Sequence, residues 1–176
     1  TVGLEGLLDE AVRRADQIVS ANDDAKPGGP ELSADQRRQV AQTVGIAALK
    51  YADLSQNRTS DYVFSYDKML AMNGNTATYM QYAYARVRSI FAKGNVDVDA
   101  LRASGSPISL DEPAERALAM ELLRFGEALD LAVLDFRPSQ LTSYLFDLAN
   151  RYSTFFEACH VLRAETDGLR RSRLLL

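Results

Sequence analysis

Apolar residues recur every three or four positions along most of this chain, which is the spacing of one face of a helix. The first run predicts a helix over residues 4–20, and a loop rich in turn formers follows at residues 22–30. Ser33 and Gln36 have the spacing of a capping box, which predicts the start of a second helix. The apolar positions of that helix are Val40, Val44, Ala47, Ala48 and Tyr51.

The middle of the chain alternates between loops and helices. Residues 55–73 predict a loop with an extended piece and a short helical turn at 67–72. A stop at residues 73–76 precedes a helix predicted over 76–93, which Asn75 or Thr76 can cap. Residues 94–110, which are rich in Gly, Ser and Asp, predict a further loop. The composition therefore changes near residues 73–76.

Two further helices are predicted in the last third of the chain. Pro113 suits the first turn of one helix, which continues through Phe125 to Leu129. Arg137-Pro138-Ser139 begins the other, which we expect to run until Gly168. Its apolar positions are Leu141, Leu145, Leu148, Tyr152, Phe155, Cys159 and Leu162. Residues 169–176 begin a last helix whose apolar end we expect to be truncated. No segment alternates as a strand does, so the predicted fold class is mainly α.

Composition excludes several classes of protein. A chain of 176 residues makes one domain or two small ones, and 47% hydrophobic with 25% charged residues is typical of a globular protein. No apolar run reaches the length of a membrane span. A single cysteine, Cys159, and a single histidine, His160, exclude a disulfide framework and a structural zinc site. The net charge of −4 argues weakly against indiscriminate nucleic-acid binding.

No catalytic constellation emerges from the residues. Cys159 and His160 are adjacent on a predicted helix and so do not face each other, which favours a partly buried pair at the edge of the core. We interpret Asp53, Asp61 and Asp67 as solvated loop acids rather than an acid/base pair. The glycine-rich loops that bind nucleotide phosphates are absent. We therefore predict no catalytic residue and no metal ligand.

The segment 79–94 is the most informative, because it holds two Arg and one Lys without an acid. Helical spacing places an aromatic and basic set on one face: Tyr79, Tyr82, Arg86, Ser89 and Lys93. Aromatic rings stack on unpaired bases and guanidinium groups bind phosphates and base edges, which is typical of single-stranded RNA recognition. The alternative is that the tyrosines pack against another helix and the cations are solvated. A second basic group, Arg163, Arg170, Arg171 and Arg173, is either part of such a surface or a solvated terminal segment.

Several blocks resemble arginyl-tRNA synthetases, in the order of that family. Residues 50–58, residues 61–64 and Asp67 are similar to the stretch that closes the catalytic module. Residues 74–77 and 81–86 are similar to the entry into the anticodon-binding helices. Residues 144–149 and 155–162 resemble the long helix of the same domain, and residues 4–11 resemble the segment after the family's signature loop.

The resemblance implies a helical bundle of the class I synthetase anticodon-binding type over residues 76–176, preceded by the helical end of the catalytic module over residues 1–75. It implies an arginine tRNA as the partner. With the basic and aromatic face, it implies these RNA-binding residues: Tyr79, Tyr82, Arg86, Ser89, Lys93, Phe156 and Arg163. Phe156 stands where many members have Tyr, so stacking remains while a hydroxyl contact is lost.

The family's His-x-Gly-His and Lys-rich signatures are absent, so we expect a C-terminal fragment that is inactive by itself and binds no cofactor. The resemblance implies that the full-length enzyme joins arginine to its tRNA with ATP and Mg, as a cytoplasmic monomer without membrane contact. Two alternatives remain at this point: a non-catalytic helical RNA- or protein-interaction module, and the anticodon domain of another class I synthetase.

Overall fold

A computed structural model of the protein describes residues 3–176, which form helices, turns and loops without a strand. The prediction of a mainly α fold is therefore confirmed. The helices in chain order are α1 (Leu4–Asp24), α2 (Ala34–Leu54), α3 (Tyr66–Met69), α4 (Ala77–Lys93), α5 (Val98–Ala103), α6 (Pro113–Leu123), α7 (Phe125–Leu134), α8 (Pro138–Ala158) and α9 (Asp167–Leu175). They form two compact units, of which the first ends at Tyr79 and the second runs from Met80 to Leu176. Among residues 3–176, no helix combines the length and the apolar character needed to cross a membrane.

In the first unit, α1 and α2 pack closely because small residues occupy the positions where they meet. Four alanines there are almost fully buried: Ala11, Ala15, Ala41 and Ala48. A Cβ atom added to Gly45 of α2 would lie 2.7 Å from the backbone N and Cα of Val12 in α1. Only glycine therefore permits the two helix backbones to approach this closely.

The turn between α1 and α2 is organised by Asp23, a buried carboxylate. It accepts hydrogen bonds from the backbone N–H groups of Glu31 and Leu32, both at 3.1 Å. It also pairs with Arg37 at 2.8 Å and with Lys26 at 3.1 Å. Burial by itself would raise the pKa of Asp23, but these partners outweigh burial and hold the pKa well below its ordinary value.

Two predicted helix starts are confirmed by their hydrogen bonds. The Ser33 hydroxyl accepts from the N–H of Gln36 at 3.2 Å, and the Gln36 side-chain oxygen accepts from the N–H of Ser33 at 2.8 Å. The Thr76 hydroxyl accepts from the N–H of Tyr79 at 3.2 Å, at the start of α4. Gly74 has a φ of 77°, which residues with a Cβ rarely adopt, so the stop before α4 depends on this glycine.

The prediction that the long helix runs to Gly168 is wrong. Helix α8 ends at Ala158, and Cys159 has extended backbone with φ −117° and ψ 102°. From there burial alternates, because Cys159 and Val161 are buried whereas His160 between them is exposed. A period of two is the pattern of extended backbone, and it brings both buried side chains to the core.

Two other boundaries differ from the prediction. The predicted loop at 94–110 contains α5, which Asp97 caps by accepting from the N–H groups of Asp99 and Ala100, both at 3.0 Å. The helix predicted from Pro113 is divided at Arg124, whose N–H donates to the Glu121 carbonyl at 3.1 Å. This tighter last turn separates α6 from α7, and both segments pack against α8.

The second unit has its own core, formed by Leu118, Phe155, Cys159, Val161 and Leu174. Helix α9 is attached to it by Arg173, whose Nε lies 2.7 Å from Oε1 of the fully buried Glu115 in α6. Ser172 adds a second attachment, because its hydroxyl accepts from the N–H of Ser109 at 2.8 Å. Arg170 donates to the carbonyl of Gly94 at 3.3 Å. Two of the four arginines in the second predicted basic group are therefore engaged in holding α9.

Candidate nucleic-acid interface

Helix α4 has an apolar side and a polar side. Its apolar side packs Ile90 and Phe91 against the core of the second unit. On another side, residues spaced by four, three and four positions share a face: Tyr82, Arg86, Ser89 and Lys93. The core fixes the rotation of α4, and that rotation turns the basic face away from the core.

The basic face of α4 forms one wall of an open cavity of about 540 Å³, which we call the cationic groove. The other walls are the end of α8 and the segment 159–163 that follows it. Its charged and aromatic lining residues are Arg86, Lys93, Phe156, Glu157 and Arg163. Three cations and one carboxylate give the groove a formal net charge of +2, whereas the whole chain has −4. The groove is thus a local positive region on an acidic protein.

The guanidinium of Arg86 lies close to two aromatic rings, of which Phe156 lines the groove. Its guanidinium carbon is 3.9 Å from the ring centroid of Phe156 and 5.3 Å from that of Tyr82. Tyr82 precedes Arg86 by one helical turn on α4, and Phe156 comes from α8. Such cation–π contacts hold a guanidinium in place without pairing its N–H donors.

Arg86 is also distinctive among the arginines of the chain. Within residues 3–176, eight of the arginines pair with a carboxylate or donate to a backbone oxygen, as Arg37 and Arg173 do. Among the arginines that the structure describes, those with neither partner are exposed, except for Arg86, which is half-buried. A partly desolvated guanidinium without an acceptor is a binding group for an anionic or acceptor-rich ligand.

The structure brings together five of the seven predicted RNA-binding residues, which line the cationic groove: Arg86, Ser89, Lys93, Phe156 and Arg163. Tyr82 stands beside them through its contact with Arg86, and its side chain is 44% exposed. Tyr79 does not line the groove; it is half-buried in the first turn of α4 and ends the first unit.

Sequence reasoning missed His160 and Glu157, which line the groove beside Phe156. His160 was expected at the edge of the core with Cys159, but only Cys159 is buried there. Helical spacing could not predict the position of His160, because its exposure depends on the extended backbone that follows Ala158. The sequence contains no glycine or proline at that point to signal the helix end.

The other candidate groups are Cys159 in the second unit and the loop acids of the first unit. Burial raises the pKa of the Cys159 thiol, which disfavours the nucleophilic thiolate. In the first unit, Asp67 pairs with Arg14 at 3.0 Å. Burial, and then the Asp53 carboxylate, raise the pKa of Tyr62. The described part of the chain contains no group of three His, Cys, Asp or Glu residues suited to a metal ion.

Comparison with known proteins adds family matches to this geometry. Residues 80–176 match the model of the DALR anticodon binding domain, and residues 1–66 match the catalytic domain of class I (R) tRNA synthetases. Curated arginine–tRNA ligases of Salmonella typhimurium and Vibrio vulnificus are each 47% identical over 176 residues, which is 100% of this chain. The chain spans 29% of the length of these relatives.

Solved structures show the same similarity. The arginyl-tRNA synthetase of Thermus thermophilus superposes with a TM-score of 0.77 at 31% identity, over 99% of this chain and 28% of that one. The arginyl-tRNA synthetase of Plasmodium falciparum superposes with a TM-score of 0.79 at 30% identity, over 99% of this chain and 29% of that one.

Proposed function

The chain belongs to the DALR anticodon binding domain family, and we propose that its second unit binds the anticodon stem-loop of an arginine tRNA through the cationic groove. The observation that carries the proposal is the position of Arg86, Lys93 and Arg163 around one open groove on a chain of net negative charge. RNA is a polyanion, and a local positive region on an otherwise acidic protein attracts it. The choice of an arginine tRNA as the RNA rests on the names of the relatives, which are arginine–tRNA ligases.

Different side chains would serve different parts of the RNA. Tyr82 has an exposed ring, on which an unpaired loop base can stack. Lys93 and Arg163 have exposed cationic ends, which suit phosphates. Ser89 adds a hydroxyl to the lining of the groove. Tyr79 would reach the RNA only outside the groove, so its effect on binding should be the smallest of the set.

The test is binding of the chain to a short hairpin RNA with the anticodon arm of an arginine tRNA, followed by fluorescence anisotropy over a salt series. Two to three phosphate contacts predict that log K falls against log salt with a slope of about −2. Tyr82→Ala should weaken binding about tenfold without changing the slope, because stacking is worth ~1–3 kcal/mol per base. Lys93→Gln should bring the slope closer to zero by about 0.7.

Tyr84→Ala is the matched control. Tyr84 is on the same helix and is 65% exposed, but it lines a different, apolar cavity of the second unit. Its removal should leave binding unchanged. The proposal fails if the hairpin does not bind, or if Tyr82→Ala and Tyr84→Ala weaken it equally.

For the first unit, we propose that residues 1–75 are the helical end of a class I catalytic module, in line with the match over residues 1–66. The full-length protein would join arginine to its tRNA, with ATP as its magnesium complex among the substrates, in the cytoplasm and as a monomer. The names of the curated relatives support the ligase activity.

A further inference from the structure

Phe156 was expected to stack on the RNA, but one face of its ring is already occupied. The Arg86 guanidinium carbon lies 3.9 Å from its centroid, which is direct contact. The ring of Tyr152 packs near it as well, at 6.1 Å between centroids and tilted by 49°. Only about a third of Phe156 is exposed, so the ring offers a base much less free surface than Tyr82 does.

The two ring contacts restrict the side chain of Arg86, which a free arginine would have to order on binding. A free arginine side chain is flexible in solution, and ordering such a side chain on binding costs conformational entropy. Contacts with rings from two helices restrict Arg86 before any ligand arrives. Because cation–π contacts use the flat face of a guanidinium, the N–H donors at its edge remain available for hydrogen bonds.

We propose that Phe156 is a positioning residue that acts through Arg86, and that the groove thereby presents a preorganised guanidinium edge to an acceptor of the RNA. This inference rests on the proposed function. The acceptor is an oxygen or nitrogen that can take hydrogen bonds in the plane of the guanidinium, on either a phosphate or a base edge. Tyr82 both completes the restraint on Arg86 and offers its exposed ring to an adjacent base.

A double-mutant cycle with the same hairpin RNA tests the dependence of Phe156 on Arg86. Arg86→Met removes the charge but keeps an unbranched side chain, and it should weaken binding about tenfold to a hundredfold. Phe156→Leu should weaken binding about threefold to tenfold by releasing Arg86. The double variant should bind within about twofold of Arg86→Met, because Phe156 has nothing left to position. If the two effects multiply, Phe156 contacts the RNA by itself and the inference is overturned.

Two further variants separate positioning from structure. Phe156→Tyr keeps the ring and should bind within about twofold of the unsubstituted chain, whereas a loss equal to that of Phe156→Leu would contradict the proposal. Phe125→Leu is the matched control, because Phe125 is 49% exposed and contacts the Tyr144 ring elsewhere in the second unit. It should not alter binding. Thermal unfolding of each variant verifies that the fold is retained, and if Phe156→Leu unfolds, Phe156→Met takes its place in the double-mutant cycle, because it also removes the ring that contacts Arg86.

The salt series identifies the acceptor. A slope closer to zero by about 0.7 in Arg86→Met indicates a phosphate, and an unchanged slope with weaker binding indicates a base edge. The failures are also distinguishable. Absence of hairpin binding by the unsubstituted chain refutes the proposed function, whereas normal binding by Arg86→Met refutes this inference alone.

Discussion

The buried Glu115 carboxylate makes the stability of the second unit depend on Arg173, with which it forms an ion pair. Glu115 is 0% exposed, and it accepts from the N–H of Glu112 at 2.9 Å and from Arg173 Nε at 2.7 Å. Burial by itself would raise the pKa of Glu115, but these donors outweigh it and the pKa lies below its ordinary value. The carboxylate is therefore charged in the folded protein and depends on Arg173 for its counter-charge.

Arg173→Met should destabilise the second unit by about 3–5 kcal/mol, because it leaves the Glu115 charge buried without its partner. The double variant Glu115→Gln with Arg173→Met should recover most of that loss, since a neutral amide requires no counter-charge and still accepts the N–H of Glu112. A matched control is Arg13→Met, which breaks an exposed pair with Glu10 and should leave the midpoint unchanged.

Urea unfolding followed by circular dichroism at neutral pH and in acid provides the measurement. Since the folded pKa of Glu115 is lowered, the pair contributes stability above the ordinary value of 4.5 and loses it as the pH falls through the lower folded value. The difference in free energy of unfolding between the original chain and Glu115→Gln should therefore shrink as the pH falls below 4.5. A double variant as unstable as Arg173→Met would refute the argument, because the loss would then come from packing rather than an uncompensated charge.

Four other outcomes follow from the structure. Gly45→Ala should lower the free energy of unfolding in urea by about 1–3 kcal/mol, because the added Cβ meets the backbone of α1. Gly28→Ala is the control and should change it little, because no atom lies within 4 Å of the added Cβ. Equal effects of the two substitutions would contradict the close approach of α1 and α2. Asp23→Asn should destabilise the α1–α2 turn at neutral pH, with a difference that shrinks as the pH falls below 3.8, and a pH-independent difference would exclude the ionised form as the cause. Leu148→Ala should lower the free energy of unfolding by about 2 kcal/mol, which is the low end of the range for buried leucines because Leu148 is only half-buried. A loss under ~0.5 kcal/mol would mean that this face of α8 is not packed. The isolated chain should show no arginine-dependent ATP–pyrophosphate exchange with tRNA present, and exchange above background would place ATP-handling residues within it.

The local signals in the sequence were sufficient for most helix starts and for one face of the groove. Ser33 with Gln36, Thr76 and Pro138 each mark a helix start through groups within three or four positions of one another. The same short range explains why the face of α4 that carries Arg86 could be predicted, since a single helix places its own residues. That prediction required no knowledge of any other element.

Tertiary packing decided the features that join distant parts of the chain. Helix α8 ends at Ala158 because Cys159 and Val161 are both buried in the core of the second unit, and no nearby residue signals this. The segment that follows Ala158, in which a turn at residues 162–163 comes after the extended Cys159, brings His160 and Arg163 to the groove. Phe156 and Arg86 are seventy positions apart in the sequence, and they come into contact only when α4 and α8 pack together. The periodicity of apolar residues predicts which side chains share a face of one helix. The free energy gained by burying side chains between helices depends on the assembled core, so the sequence pattern of a single helix does not reveal it.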